Sequence, residues 1–164
     1  MNTRDEVIDW LRDAYAMERG LETTLKKQST NDKLSPDLQQ YASMHLEETR
    51  RHAESVKAAL ESLGTDTSSL KTGLGVMTEA TKGMATMFAR DEQIKDLLTA
   101  YSMEHFEIAC YTSLEAAAQQ LGLSNVVAMC RQIIADEERM ATTLLQAIPR
   151  MTVSYLSGVH AKAA

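Results

Sequence analysis

Glutamates recur at helical spacing within otherwise apolar segments of this 164-residue chain. The segment Ala14 to Glu18 (Ala-Tyr-Ala-Met-Glu) is repeated with one change at Ala100 to Glu104. Each copy precedes a second acidic cluster, which is Glu47–Glu48 after the first copy and the segment 136–138 after the second. We interpret the chain as a duplicated helical hairpin in which each half places carboxylates on apolar helix faces.

The repeated pattern predicts one inward-facing glutamate on each of four helices. An isolated buried carboxylate is costly to desolvate unless it is paired or bound to a cation. Four converging carboxylates repel one another, so they need a cation or a shared proton, and two divalent metal ions are the simplest solution. The inner faces of four packed helices are where dimetal carboxylate sites are built. These glutamates are Glu18, Glu48, Glu104 and Glu137.

Other residues can complete such a site. His52, one turn after Glu48, offers an imidazole nitrogen on the same face. Glu107 and Glu22 lie one turn from the repeated glutamates and can add carboxylate oxygens to the site. His45 is predicted either to hydrogen-bond a metal ligand or to pack in the core. The alternative for any single glutamate is a boundary position with its carboxylate in solvent. The predicted metal ligands are Glu18, Glu48, His52, Glu104, Glu107 and Glu137, and replacement of one of them by Glu22, His45 or Glu138 stays open.

The second hairpin lacks the histidine that a symmetric dimetal bundle would have. Ala141 stands four positions after Glu137, and His105 directly follows Glu104, so that His105 points to another side of its helix.

Tyrosines fall near the predicted site and can donate hydrogen bonds to metal-bound carboxylates. These are Tyr15, Tyr101 and Tyr111.

Composition favours an all-α protein. The chain is 44% hydrophobic and 24% charged, with only 7 glycines and 2 prolines and without the alternation typical of strands. A net charge of -6 argues against nucleic acid or an anionic membrane as a partner. There is no apolar run of membrane-spanning length and no signal-like N-terminus, so we expect a cytoplasmic protein. Cys110 and Cys130 do not have the spacing of a metal finger or a disulfide framework.

Capping signals divide the chain into helices. Asn2 or Thr3 should cap the first helix, with Glu6 completing a capping box with Thr3. Ser35 and Pro36 should begin the second helix. We predict one domain, 1–164, with two hairpins at about 3–64 and 93–149. A crossover at about 65–92, with a weaker helix from Leu70 to Phe88, joins them. After Pro149 we expect a loose tail at 150–164, with a short helix near Met151 to Val159 as the alternative.

Four motifs resemble the bacterial YciF/YciE stress-protein family over most of the chain, from about Thr3 to Ile148. The motifs are Ile8 to Glu18, His45 to Thr49 with His52, Met103 to Ala109 with Tyr111, and Asp136 to Glu138.

The resemblance implies a ferritin-like four-helix bundle with an extra crossover helix, often dimeric, and a rubrerythrin-like dimetal centre. Carried over to this chain, Glu18, Glu48, Glu104 and Glu137 would be the helix carboxylates, and His52 would be the nitrogen ligand. Rubrerythrin differs in three respects: its second-helix histidine follows the glutamate by three residues, its fourth helix carries a histidine, and it has a C-terminal cysteine cluster.

Three functions are compatible with the sequence. The first is a dimetal carboxylate protein, with iron as the expected metal and manganese or zinc as alternatives, that handles O2 or peroxide or sequesters metal in a stress response, as a homodimer. The second is a non-catalytic helical stress or interaction protein with a vestigial or structural metal site. The third is a metal-dependent oxygenase that acts on an organic substrate.

Overall fold

Four long α-helices form the described part of the fold. The computed structural model describes residues 2–67 and 92–163, and it contains no β-strand in these two ranges. The predicted crossover helix from Leu70 to Phe88 lies outside the described residues. The helices are α1 (Thr3–Ser29), α2 (Pro36–Ser62), α3 (Glu92–Gln120) and α4 (Ser124–Ala163).

Side-chain caps begin the helices of the first hairpin. The Asn2 side chain accepts a hydrogen bond from the Asp5 backbone N–H at 3.0 Å, and the Asp5 carboxylate accepts one from the Asn2 backbone N–H at 3.2 Å. This reciprocal pair is a capping box, although its acidic partner is Asp5 and not the predicted Glu6. The predicted start of α2 is confirmed, with Ser35 as the N-cap and Pro36 in the first turn.

Glycine in the left-handed conformation ends α2. Gly64 has a φ of 76°, a conformation that is strained for residues with a Cβ. Its N–H bonds to the Glu61 carbonyl at 3.0 Å, and the Thr65 N–H bonds to the Leu60 carbonyl at 3.2 Å. Together these bonds form a Schellman motif, which satisfies carbonyls that the helix end leaves free. Gly122, with a φ of 68°, ends α3 in the same manner.

Two helical hairpins pack against each other. The loops 30–35 and 121–123 are short, so α1 lies antiparallel to α2 and α3 antiparallel to α4. The hairpins meet through α2 with α4 and through α1 with α3. The predicted inward faces of α1 and α4 are confirmed by burial of residues including Val7, Leu11, Val126 and Ile133. Each of these faces also carries a buried glutamate near its middle, and those glutamates form the site described below.

Helix α4 continues past Pro149, so the predicted end at this proline is wrong. Proline removes a backbone donor and disfavours the helix interior, yet α4 extends to Ala163. Tertiary contacts accompany the continuation: Met151 is buried in a cluster with Leu38 and Leu144, and Arg150 forms an ion pair of 2.5 Å with Asp37. The segment 150–163 is therefore a helical extension of the bundle and not a loose tail.

Candidate metal centre

Two adjoining groups of buried donor side chains lie at the centre of the bundle. In one group, ligand atoms of His45, Glu104, Glu107 and Glu137 all lie within 4.8 Å of one another. In the other, the same holds for Glu18, His52 and Glu137. All six side chains are at most 3% exposed. Glu137 belongs to both groups, so its carboxylate is in a position to bridge two ions.

The two histidines of α2 flank Glu137. His52 Nδ1 lies 3.0 Å from Glu137 Oε1, and His45 Nε2 lies 3.5 Å from Glu137 Oε2. His52 Nδ1 is also 3.9 Å from Glu18 Oε1, and His45 Nδ1 is 3.2 Å from Glu104 Oε1. The histidines are two helical turns apart on one face of α2, so each imidazole serves one of the two groups.

Most donor atoms of the two groups make no hydrogen bond to any described residue. Glu107 and Glu137 each have both oxygens in this condition, and Glu18 and Glu104 each have one. The same is true of His45 Nε2 and His52 Nδ1, whose approach to Glu137 lacks hydrogen-bond geometry. Native proteins pair nearly all of their buried polar groups. A cluster of buried oxygen and nitrogen atoms without hydrogen-bond partners is what a cation-binding site needs.

Two tyrosines each donate a hydrogen bond to a repeated glutamate of the other hairpin. Tyr111 of α3 donates a hydrogen bond of 2.5 Å to Glu18 Oε1 of α1. Tyr41 of α2 donates a short hydrogen bond to Glu104 Oε1 of α3 and lies 3.2 Å from His45 Nδ1. Each bond leaves the second oxygen of its glutamate without a hydrogen-bond partner among the described residues.

Asp136 orients His52 from the outer side. His52 Nε2 lies 3.3 Å from Asp136 Oδ2, in hydrogen-bond contact. Arg139 and Gln132 donate to Asp136 Oδ1 at 2.8 and 3.2 Å. A histidine that donates its Nε2 proton to a carboxylate presents Nδ1 as a lone pair, and this arrangement is common behind metal-binding histidines. With a metal bound, this tautomer would direct the free nitrogen of His52 toward Glu18 and Glu137. Without metal, burial lowers the pKa of His52, but Glu137, Glu18 and Asp136 outweigh burial and raise that pKa. The protonated ring then favours the ionised form of Glu137.

Burial and neighbouring charges give the buried glutamates different protonation states. Burial raises the pKa of Glu18 to about 8 and that of Glu104 to about 10, and it raises the pKa of Glu107 well above the usual value. Burial also opposes ionisation of Glu137, but the imidazoles of His45 and His52 outweigh it and lower the pKa of Glu137. The shared carboxylate is therefore the one that is ionised at neutral pH.

The predicted ligands fall into two sets. Five of the six lie in the two donor groups: Glu18, His52, Glu104, Glu107 and Glu137.

Glu48 is the exception, since it belongs to neither donor group found among the described residues. Its carboxylate is only half-buried and pairs with Arg139 at 2.9 Å and Arg51 at 3.6 Å. The buried face of α2 is centred on His45, Thr49 and His52, and Glu48 lies about 100° from Thr49 around the helix. This offset turns the carboxylate of Glu48 away from the centre.

The remaining acidic alternatives also lie outside the donor groups. Glu22 pairs with Arg19 and, at 3.1 Å, with Arg50. Glu138 is exposed. Only His45 among the three possible replacements reaches the centre, where it stands in the place of the histidine that α4 lacks.

Sequence reasoning missed three polar residues around the centre. Tyr41 and Thr49 lie one turn before and one turn after His45, so the helical period that identified the face of α2 also indicates them. Thr49 is fully buried, and its hydroxyl has no hydrogen-bond partner in the described part of the chain. Asp136 was recognised only as part of an acidic cluster, and nothing local showed that it would meet His52. Of the predicted tyrosines, Tyr111 reaches a donor group, whereas Tyr15 packs beside the apolar core.

Comparison with known proteins identifies the family. A family model described as "Domain of unknown function (DUF892)" matches residues 2–157. The chain belongs to this family. Protein YciF of Escherichia coli K12 is a 29% identical relative over 152 residues, which cover 84% of this chain and 86% of that protein. The sequence-based assignment to the YciF-like family is thus confirmed.

Solved structures agree with this DUF892 assignment. A protein from Xanthomonas campestris pv. campestris is 30% identical, with a TM-score of 0.79 and coverage of 98% of this chain and 99% of that one. The E. coli stress protein YciF is 25% identical in its aligned structure, with a TM-score of 0.72 and coverage of 90% and 95%. A ferritin-like diiron-carboxylate protein from Bacillus anthracis, 16% identical with a TM-score of 0.71, covers 90% of this chain and 99% of its own. The predicted ferritin-like four-helix bundle is confirmed.

The donor set of this DUF892 protein fits a divalent metal centre. The two groups together contain four glutamates and two histidines, the number and type of ligands in di-iron carboxylate bundles. The distribution of these ligands over the helices differs from that in di-iron carboxylate bundles. Helix α2 supplies both histidines, α3 supplies two glutamates, and α1 and α4 supply one glutamate each. Four carboxylates would balance the charge of two divalent cations, which offsets the burial and the mutual repulsion that raise the pKa values of Glu18, Glu104 and Glu107. Among the described helices, none is both long enough and apolar enough to cross a bilayer.

Proposed function

We propose that this protein binds two divalent metal ions at the centre of its bundle, with iron as the expected metal, and uses them in a bacterial stress response to handle O2 or peroxide or to hold metal. The observation that carries the proposal is that one buried carboxylate, Glu137, is shared by two donor groups. A single structural ion would need only one such group. Manganese and zinc are the alternative metals, since carboxylate and imidazole ligands suit them as well.

The donor groups divide the ligands between the two ions. Glu18 and His52 would hold one ion, and His45, Glu104 and Glu107 would hold the other, with Glu137 between them. The hydrogen bonds from Tyr111 and Tyr41 would keep Glu18 and Glu104 aligned, because each tyrosine holds one oxygen and leaves the other unpaired. Asp136 would hold the ring of His52 in its ligating tautomer.

The protein environment suits chemistry on small molecules. Bound iron would supply electrons to O2 or peroxide, which is chemistry that no side chain of the site provides. Burial raises the pKa of Tyr41 and Tyr111 well above the usual value, as do the adjoining glutamates. Both phenols therefore stay protonated and serve as hydrogen-bond donors. The low exposure of all six donors excludes bulk water and any large substrate from the centre.

The stress-response part of the proposal comes from a relative. The E. coli YciF protein is described as a stress protein, and this chain has the same family and fold. Homodimer formation and cytoplasmic location stay predictions, and light scattering after size exclusion would measure the oligomeric state.

A non-catalytic structural role is the second candidate, and one observation favours it. Because the pKa of Glu18 is about 8 and that of Glu104 about 10, both carboxyls are largely neutral at pH 7. A centre in which Glu137 is ionised between two imidazoles, while Glu18 and Glu104 are neutral, is compatible with a stable bundle that carries no metal. In that case the donor groups would be a remnant of a metal site.

Elemental analysis separates these candidates. Protein purified from metal-replete cells is compared with Glu137→Gln, which removes the shared carboxylate, and with Glu138→Gln, its exposed neighbour on the same helix. We expect about two metal ions per chain in the wild type and in Glu138→Gln, and a loss of most metal in Glu137→Gln.

Metal-free wild type, with no rise in melting temperature on addition of Fe(II), Mn(II) or Zn(II), would refute the metal site and favour the structural role. If metal is present, consumption of added peroxide by the iron-loaded protein then distinguishes turnover from metal storage.

A further inference from the structure

A groove between α2 and α4 reaches the candidate metal centre from the surface. It encloses about 680 Å³ and is bounded by one side of the C-terminal half of α2 and one side of the N-terminal half of α4. Small side chains such as Ser55 and Ala58 keep it open on the α2 side, and Asn125 and Gln132 give it a polar wall on α4. Its lining also includes His52 and Asp136. The groove therefore leads to the donor group that contains His52.

One imidazole separates the groove from the buried carboxylates. On the groove side, His52 Nε2 contacts Asp136 Oδ2 at 3.3 Å. On the inner side, His52 Nδ1 is 3.0 Å from Glu137 Oε1 and makes no hydrogen bond within the described residues. His52 is nine-tenths or more buried, so its unpartnered nitrogen is aimed at the centre and not at solvent.

A second cavity approaches the centre from the other end but has a different chemistry. It encloses about 220 Å³ and reaches Tyr41 between side chains that include Leu38, Leu97 and Leu144. An ion that passes apolar walls loses hydration without gaining ligands, which is costly. The α2–α4 groove has mixed polar and apolar walls that include Arg51, Asn125 and Gln132. Asp136 in this groove and the unpaired donors behind it can replace water on an entering cation.

We propose that the α2–α4 groove is the route by which divalent cations enter the centre, with Asp136 as the first carboxylate they meet and the Glu18–His52–Glu137 group as the first to fill. This inference rests on the proposed function, because it concerns how the same donors are loaded. It also explains why Asp136 lines the groove while the glutamates behind it do not.

Obstruction of the groove tests the route. Ser55→Phe places a bulky ring in the groove, and Thr143→Phe places the same ring beside the apolar cavity. Both original residues are exposed helix positions whose hydroxyls bond only to the carbonyl one turn earlier in the described structure, so the substitutions are matched. Uptake of Co2+ by metal-free protein is followed in a stopped-flow spectrometer, and bound Co2+ is counted at equilibrium.

We expect Ser55→Phe to take up Co2+ roughly tenfold more slowly than wild type, since restricted approach lowers the association rate. Its final stoichiometry should equal that of wild type, and Thr143→Phe should match wild type in both respects. Ala58→Phe provides a second obstruction if Ser55→Phe fails to fold, as judged from circular dichroism and melting temperature.

The outcomes separate the route from the function. Wild-type uptake rates in both obstructed variants, with full binding, would overturn the route and leave the metal site intact. Slow uptake in Thr143→Phe alone would overturn it in favour of the apolar cavity. Failure of the wild type to bind Co2+ would overturn the proposed function, and the route with it.

Discussion

Tyr111 donates a hydrogen bond of 2.5 Å to Glu18 across the bundle, so a residue of the second hairpin holds a carboxylate of the first. In the opposite direction, Tyr41 of the first hairpin donates a hydrogen bond to Glu104 of the second. Glu18 and Glu104 are the equivalent glutamates of the repeated sequence, and each is held by a tyrosine from the other repeat. The two hairpins therefore need each other to complete the candidate site.

Removal of the Tyr111 hydroxyl should destabilise the metal-free protein. Tyr111→Phe keeps the buried ring but leaves Glu18 Oε1 without its donor, and an unsatisfied buried group costs about 1–3 kcal/mol. Urea unfolding at neutral pH measures the change. Tyr15→Phe is the control, because Tyr15 packs beside the same core and makes no recorded hydrogen bond to the described residues. Equal stabilities for the two variants would contradict the assigned role of Tyr111.

Glu48→Gln should retain the metal of the wild-type protein. Glu48 pairs with Arg139 at 2.9 Å and stands outside both donor groups of the described chain. We expect unchanged metal content by elemental analysis, and a change in stability within about 1 kcal/mol because partly exposed ion pairs contribute little. Loss of an ion in this variant, with Glu138→Gln unaffected, would show that Glu48 rotates inward to ligate metal.

Metal-free protein should become less stable as the pH rises. The pKa of Glu18 is raised from 4.5 to about 8 and that of Glu104 from 4.5 to about 10 by burial. A group with a raised pKa in the folded state contributes its full stability below the unfolded value and loses it as the pH rises through the folded value. We therefore expect the free energy of unfolding to fall between about pH 5 and pH 8, by up to about 4 kcal/mol for each of the two groups, since each pKa unit corresponds to about 1.4 kcal/mol.

The control for this pH dependence is Glu18→Gln, whose free energy of unfolding should fall less over the same pH range. Glu137 has a lowered pKa, so it acts with the opposite sign and only at more acidic pH. Metal-loaded protein should show the reverse trend, because metal ligands must be deprotonated to bind. Urea unfolding at the two pH values provides the measurement, and a flat profile for metal-free wild type would contradict the assigned burial effect.

Asp136→Asn should weaken metal binding without changing the number of ions at saturation. The amide can still contact His52, but it does not favour the tautomer with a proton on Nε2 as a carboxylate does. Loss of such a partner typically reduces metal affinity about 10–100-fold. Competition with a chromophoric chelator measures the affinity. An unchanged affinity would show that Asp136 does not orient His52.

The architecture and most of the donors could be predicted because they depend on local patterns. The apolar period identified the inward faces of the helices, and polar residues on those faces, such as Glu18 and Glu104, were conspicuous because burial of a charge needs a reason. The same logic predicted the wrong environment for Glu48. Glu48 lies near the edge of the buried face of α2, and there the pairing with Arg139 on another helix decides its direction.

The extension of α4 shows a similar limit. Pro149 is a valid local signal for a helix end, but burial of Met151 and the ion pair of Arg150 with Asp37 accompany a helix that continues past it. These contacts join residues that are distant in sequence, so no local pattern contains them.

By itself, the sequence determined that the chain forms two related helical hairpins and that each brings carboxylates to its apolar face. Helical periodicity and capping are local properties, and they were sufficient for this. Only the tertiary structure decided that Glu137 is shared by two groups, that His45 takes the place of the missing histidine, and that Asp136 supports His52. These relationships depend on the rotation and height at which helices pack, which are set by the fit of all the side chains between them.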